Sequence, residues 1–356
     1  MMKSRIKIGM VCHGIRPMEL ITIDELEQNF TLKAGDVGLF MVTEIGKNKM
    51  IQTGSRSATL IPGDLIMGAF GNRYATNQFE GYVPDDLKGE FHMLGGAGVI
   101  GQVKSMHQRL DEIGPTKVEL IGIYTDERGQ IANTIARKEE KLIPYTGELA
   151  KRTKVVLSLG SAMDSGKTTT AAYLINGLVK KGHTAAYIKL TGTAYPKDAN
   201  LAFDLGACEA IDFSRYGYPS TYLISEEKLL SLYESLLRDV LKKRPDYVVI
   251  EIADGILQRE TKMLLKNSKF IDSVHQVVFS AGDSLSAVNG VHTLNSWGIQ
   301  ATALAGIFTA SPLLVQEVRE CLDENKEHSY LPILNLEQLS MGEFPSYLKP
   351  MQLLSA

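Results

Sequence analysis

The sequence predicts an α/β protein: a parallel-sheet domain preceded by a smaller β-rich domain, built as an antiparallel sheet or a barrel. Three observations carry this. From residue 151 onward, short apolar runs alternate with stretches of helical periodicity. Before residue 150 the chain is cut into short strand-like segments by Gly, Pro and Asp turns. The length of 356 residues exceeds what one hydrophobic core normally organises. The expected domains are 1–150, β-rich, serving as a substrate or partner module, and 151–356, carrying the parallel sheet.

In the first domain, residues 37–45, 49–53, 57–61, 65–70 and 118–124 read as strands. Gly46-Lys47-Asn48, Gly54-Ser55, Pro62-Gly63-Asp64 and Asp126-Glu127-Arg128-Gly129 read as turns between or after them. Arg137-Lys138-Glu139-Glu140-Lys141 reads as the approach to a linker or as a solvated helix face. The segment from Gly71 to Gly81 is dense in hydrogen-bonding groups, and its Arg73 is a candidate to grip a substrate carboxylate or phosphate. Alternatively its Asn and Arg side chains satisfy local backbone. Gly96-Ala97-Gly98-Val99-Ile100-Gly101 spells a dinucleotide-binding pattern. Its surroundings do not alternate strand and helix, so it reads as a glycine-flanked strand, with a dinucleotide oxidoreductase the lesser reading.

In the second domain, strands are expected at 154–159, 184–190, 246–252, 274–279 and 302–308. Helices are expected at 169–181, 199–206, 226–243, 283–297 and 312–323. Continuous apolar strands alternating with helices indicate a parallel sheet covered on both faces. The tail after Asn335, with Pro345 and Pro350, reads as a surface loop.

The stretch Gly160-Ser161-Ala162-Met163-Asp164-Ser165-Gly166-Lys167-Thr168-Thr169 lies between the first of these strands and the first helix. Strand, glycine-flanked loop and helix form the setting of a phosphate-binding P-loop. Backbone N–H groups from Gly160 to Thr169 and the helix N-terminus would face a polyphosphate. Lys167 would reach its β and γ phosphates, and Thr168 would offer its hydroxyl to Mg²⁺. Glu251 closes an apolar strand and Asp254 follows shortly, the form of a second magnesium-organising motif. Lys189 ends another strand and is a candidate for the γ-phosphate or a substrate carboxylate. Asp164 sets a negative charge inside the loop and is a candidate catalytic group, alongside Lys167 and Lys189. Of the acids Asp198, Asp204 and Asp212, Asp198 is the best placed for metal or substrate.

A net charge of −3 argues against a nucleic-acid partner. Three dispersed cysteines fit a reducing compartment. No apolar run reaches the roughly 18 residues of a membrane span, and the start of the chain, Lys3 and Arg5 included, makes a poor signal peptide. A cytoplasmic protein is expected.

The five residues between Gly160 and Gly166, Lys189 followed by Thr191-Gly192, and Glu251 with Gly255 soon after make residues 151–325 resemble dethiobiotin synthetase. That family belongs to the wider SIMIBI class of P-loop NTPases. The resemblance implies ATP, Mg²⁺, often a homodimer, and transfer of the γ-phosphoryl group to a small-molecule carboxylate or ligation through it. The early loop lysine of partition ATPases is absent, since Ser161 and Ala162 stand there. Dethiobiotin synthetase has no counterpart of residues 1–150, so its substrate does not carry over. A nucleotide-dependent switch acting on a protein partner is the alternative. No guanine-reading Asn/Thr-Lys-x-Asp loop is found, which favours ATP, and Phe308-Thr309-Ala310-Ser311-Pro312 is the candidate base-contacting loop.

Overall fold

The computed structural model describes residues 6–26, 30–54, 56–87, 89–324 and 330–344. The chain divides into two compact units. Unit 1 comprises Met1–Leu142, Gly192–Pro196 and Phe213–Leu223; unit 2 comprises Ile143–Thr191, Lys197–Asp212 and Ile224–Ala356.

Unit 1 holds β1 (Lys7–Ile8), β2 (Leu20–Thr22), β3 (Val37–Glu44), β4 (Met50–Gln52), β5 (Ser57–Thr59), β6 (Leu65–Phe70), β7 (Phe79–Tyr82), β8 (Phe91–Gly95), β9 (Val99–Met106), β10 (Lys117–Tyr124) and the short α1 (Ala136–Glu139). Strand pairing runs β6–β3–β10–β8–β9, and a further β6–β9 pairing closes the ring. Four of these pairings are antiparallel and the closing one is parallel. The result is a small barrel, so the antiparallel and barrel expectations meet in one object. Closure removes the unpaired edges that an open sheet would expose. Phe40, Phe70 and Phe91 meet inside in edge-to-face contacts with centroids 5.4–6.5 Å apart, a geometry that aromatic quadrupoles favour.

The glycine run at 96–101 is the β8–β9 hairpin, with Gly98 at φ +93° in its turn. This is the structural role read above, with no helix following the glycines. The charged stretch at 137–141 overlaps α1, in which no residue is buried. The segments 192–196 and 213–223 pair with each other: Ala194 N–H donates to Pro219 O and Thr221 N–H to Gly192 O. Tyr222 lies against Tyr74 and Tyr82, so the polar Gly71–Gly81 stretch is packed on the second of these segments.

Unit 2 contains β11 (Lys154–Gly160), α2 (Lys167–Lys180), β12 (Ala185–Lys189), α3 (Lys197–Asp204), β13 (Ala210–Asp212), α4 (Glu226–Val240), β14 (Tyr247–Glu251), α5 (Arg259–Leu265), α6 (Ser268–Ile271), β15 (Gln276–Ser280), α7 (Ser284–Ser296), β16 (Ala303–Ala305), α8 (Pro312–Glu324) and α9 (Leu336–Ser340). The sheet is parallel throughout, in the order β13-β12-β14-β11-β15-β16. From β11 the chain moves outward to β12 and β13, then returns past β11 to β15. Ligands of such sheets bind at the carboxyl ends of strands where the order reverses, and that point is the end of β11. Residues of β11, β12, β14 and β15 are buried almost without exception, which explains their continuous apolar sequence.

Two expectations are corrected. The strand expected at 302–308 ends at Ala305, because Gly306 takes φ +105° and the chain enters a helical turn over Ile307–Ala310. The stretch after Asn335 is not a loop at its start. It forms α9, capped by Asn335, with Leu339 and Phe344 fully buried. Pro345, Pro350, Lys3 and Arg5 lie outside the described residues.

Candidate nucleotide site

The loop between β11 and α2 is anchored on all sides by backbone. Ser161 N–H donates to Ser280 O at 2.9 Å, and Ile256 N–H donates to Gly160 O at 3.0 Å. Ser158 Oγ, buried in β11, donates to Lys167 O at 3.0 Å and fixes the start of α2. Two residues of the loop occupy left-handed backbone: Gly166 at φ +100° and Asp164 at φ +62°. Gly160 is required for space instead. A Cβ there would lie 2.2 Å from Ser165 Oγ and 2.7 Å from Lys167 Cγ. The Lys167 stem therefore runs over the Gly160 backbone.

The start of α2 differs from those of α4, α5, α6, α7 and α9. Side chains of Ser225, Gln258, Asn267, Asp283 and Asn335 cap α4, α5, α6, α7 and α9. Gly166 precedes α2 and supplies no side-chain cap. An α-helix leaves its first N–H groups without intrahelical partners, and together with the dipole they form an anion site. A 14-residue helix carries this field in full.

Around that N-terminus the sheet brings together side chains far apart in sequence. Lys167 is 6% exposed, and its ammonium donates to Ala162 O at 2.7 Å. Burial pushes its pKa below the ordinary lysine value; the charges of Glu251 and Asp254 oppose this, and that of Lys189 adds to it. Thr168 Oγ1 donates to Glu251 Oε1 at 2.9 Å. Glu251, 2% exposed at the end of β14, also accepts from the Tyr187 hydroxyl on Oε2 at 2.6 Å. Lys189 is buried beside it and forms an ion pair with Asp198. Burial by itself would lower the Lys189 pKa, but the charges of Glu251 and Asp198 more than offset it and hold the group above its ordinary range. Buried charges persist when paired in this way.

The predicted residues thus separate. Lys167, Thr168, Glu251, Lys189 and Asp198 form one connected cluster, and Asp254 is close enough to act on Lys167 electrostatically. Asp254 is held at φ +62°, and the following Gly255 passes so close that a Cβ would sit 2.3 Å from Ser161 O. Asp164 is exposed at the turn of the loop, and Thr169 is half-buried in the first turn of α2. Asp212 is buried at the end of β13, beside Lys189 in register, whereas Asp204 is exposed. Arg73 belongs to unit 1, where its guanidinium donates to Leu94 O and to Gln78 Oε1 at 2.6 Å. Both of these bonds lie within unit 1.

Two participants were missed. Tyr187 is hidden in an apolar strand, and only the placement of β12 beside β14 reveals it. Gly306 packs on the P-loop: a Cβ there would lie 2.6 Å from Ser165 O, and Ile307 N–H donates to that carbonyl at 3.3 Å. The candidate base loop at 308–312 begins two residues later.

The oxygen donors suit Mg²⁺. Thr168 and Glu251 present hard oxygen ligands at the helix start, and such a cation takes few protein ligands and completes its shell with phosphate and water. Among the described residues no group of three or more His, Cys, Asp or Glu could hold a metal by itself. No helix among them is long and apolar enough to cross a membrane. A parallel sheet, a loop with an uncapped helix start, and a strand-end acid bonded to the loop threonine give unit 2 the architecture of a P-loop domain.

No protein-family model matches the chain, and no curated protein sequence matches it. Solved structures similar to it include a DUF1611 family protein from Anabaena variabilis, at 13% identity over 62% of this chain and 65% of that one, with a TM-score of 0.41. The signal recognition particle receptor FtsY from Elizabethkingia anophelis, in complex with GDP, is similar at 14% identity over 56% and 64%, TM-score 0.37. HypB from Helicobacter pylori, in complex with nickel, is similar at 16% identity over 60% and 91%, TM-score 0.37. The chain spans just under two thirds of the length of the first two.

Proposed function

We propose that the protein is an ATP- and Mg²⁺-dependent enzyme that transfers the γ-phosphoryl group to a small-molecule carboxylate, or ligates through the acyl phosphate so formed. The observation that supports this most is the bond from Thr168 to Glu251 at the uncapped start of α2. It sets two oxygen ligands where a nucleotide's phosphates would meet the helix dipole. Lys167 and the loop amides would bind the β and γ phosphates, while Thr168, Glu251 and Asp254 would hold Mg²⁺ directly or through water. A bound Mg²⁺ would neutralise charge on the transferred group. Lys189, kept cationic beside Asp198, is suited to orient an acceptor carboxylate. Asp164, exposed at the loop turn, would orient the attacking group. In the transfer, an acceptor oxygen bonds to the γ-phosphorus as the bond to the β–γ bridging oxygen breaks, releasing ADP.

The switch reading retains one observation in its favour. β12 and β13, whose ends carry Lys189 and Asp212, lead directly into the segments 192–196 and 213–223 of unit 1. One experiment separates the two. Purified protein with ATP and Mg²⁺ is assayed for ADP release against a library of small carboxylates. The enzyme reading predicts that one acceptor class raises turnover by at least about ten-fold, since an acceptor held in line lowers the barrier by more than about 1.4 kcal/mol. Turnover that ignores every carboxylate and rises only with a protein partner would contradict it.

A further inference from the structure

We infer that Tyr187 is a positioning residue for Glu251: it holds one carboxylate oxygen so that the other is presented to Thr168 and the metal. The inference deepens the reading above and rests on it. Glu251 divides its two oxygens between different partners, Oε1 accepting from Thr168 and Oε2 from Tyr187. Tyr187 has no exposed surface. It sits on β12 two residues before Lys189, in register with Val249, while Lys189 is in register with Glu251. Strand alternation therefore points Tyr187 and Lys189 to the same face; Tyr187 bonds the Glu251 carboxylate directly, while Lys189, paired with Asp198, acts on it through its charge.

The choice of a phenol has a chemical consequence. The Tyr187 hydroxyl, fully buried, donates to Glu251 Oε2 at 2.6 Å. A neutral donor fixes the direction of the carboxylate without cancelling its charge. A third lysine in that place would compete with a cation for the same charge. Partners of this kind orient metal ligands and commonly change metal affinity by about 10–100-fold when removed. A purely structural tyrosine would simply have found an acceptor for its buried hydroxyl.

The test uses the full chain as wild type, Tyr187→Phe, Glu251→Gln and the double variant. Equilibrium binding of a fluorescent ATP analogue is titrated against Mg²⁺, with the thermal midpoint read without ligand. A positioning role predicts that Tyr187→Phe raises the half-saturating Mg²⁺ concentration by about ten-fold and leaves binding in EDTA unchanged. In the Glu251→Gln background the same change should shift it no further, because the two residues act as a unit. An unchanged Mg²⁺ requirement with a lowered thermal midpoint would overturn the inference, as would an equal shift in both backgrounds. Should the phenylalanine variant not fold, 4-fluorophenylalanine at position 187 fills the hydroxyl's space without donating and is read the same way. A wild type that binds no nucleotide with or without Mg²⁺ would overturn the underlying reading and the inference together; one that binds, with a Tyr187→Phe variant indistinguishable from it, overturns the inference alone.

Discussion

Gly160 is needed for the room it leaves, not for its backbone angle. Its Cβ position is filled by Ser165 Oγ and the stem of Lys167. That accounts for the glycine lying six residues before Gly166, with Ser161 in the place where the usual pattern has glycine. The left-handed turn that the loop still requires is taken by Asp164, a residue whose short polar side chain tolerates it better than most. Gly160→Ala is expected to displace Lys167 and weaken nucleotide affinity by ten-fold or more, because charge-assisted phosphate contacts are worth about 1.5–3 kcal/mol each. A calorimetric titration with unchanged affinity would refute the steric account. The loop residues were legible from spacing alone, since each P-loop role depends on local sequence. Tyr187 was not: nothing in Ala-Ala-Tyr-Ile-Lys states which strand will lie alongside.

The elements most plainly written in the sequence are the buried strands and the long amphipathic helix α4. Continuous apolar runs and 3.6-residue periodicity are strong signals over five to fifteen residues. One missed element, α9, has five residues and only Leu336 and Leu339 as apolar anchors. No periodic window detects so short a helix, and its stability comes from the Asn335 cap and from docking on α2. The docking is close: a Cβ on Gly177 would lie 1.9 Å from Leu339 O and 2.9 Å from the Gly342 backbone. Gly177→Ala should improve helix propensity by about 1 kcal/mol yet destabilise overall by about 1–3 kcal/mol through overpacking. Thermal unfolding that shows a raised midpoint would mean that α9 is not held there. The strand expected at 302–308 failed for a related reason. Periodicity alone cannot see that Gly306 must turn to clear Ser165 and Ala281.

For the whole molecule, fold class was legible and closure was not. Turn chemistry gave β3, β6 and β10 of the barrel, but the β6–β9 pairing that closes it joins segments some thirty residues apart through a parallel contact, for which no local signal exists. Nor does composition reveal that residues 192–196 and 213–223 group with the barrel. The site follows the same division: the P-loop and its acid were visible from order along the chain, whereas the cluster of Lys167, Glu251, Lys189 and Asp198 required the lateral order β12-β14-β11. Every functional assignment above depends on unit 2 binding a nucleotide through that cluster. The most direct measurement is equilibrium binding of ATP with Mg²⁺, and of GTP in parallel, to the wild type and to Lys167→Ala. The account predicts that the wild type binds, with ATP preferred. Lys167→Ala should lose about ten- to 150-fold in affinity, the loss of one charge-assisted contact of about 1.5–3 kcal/mol, and unfold no earlier than the wild type when no ligand is present. Equal affinity of the two proteins, or no binding by either, would contradict it.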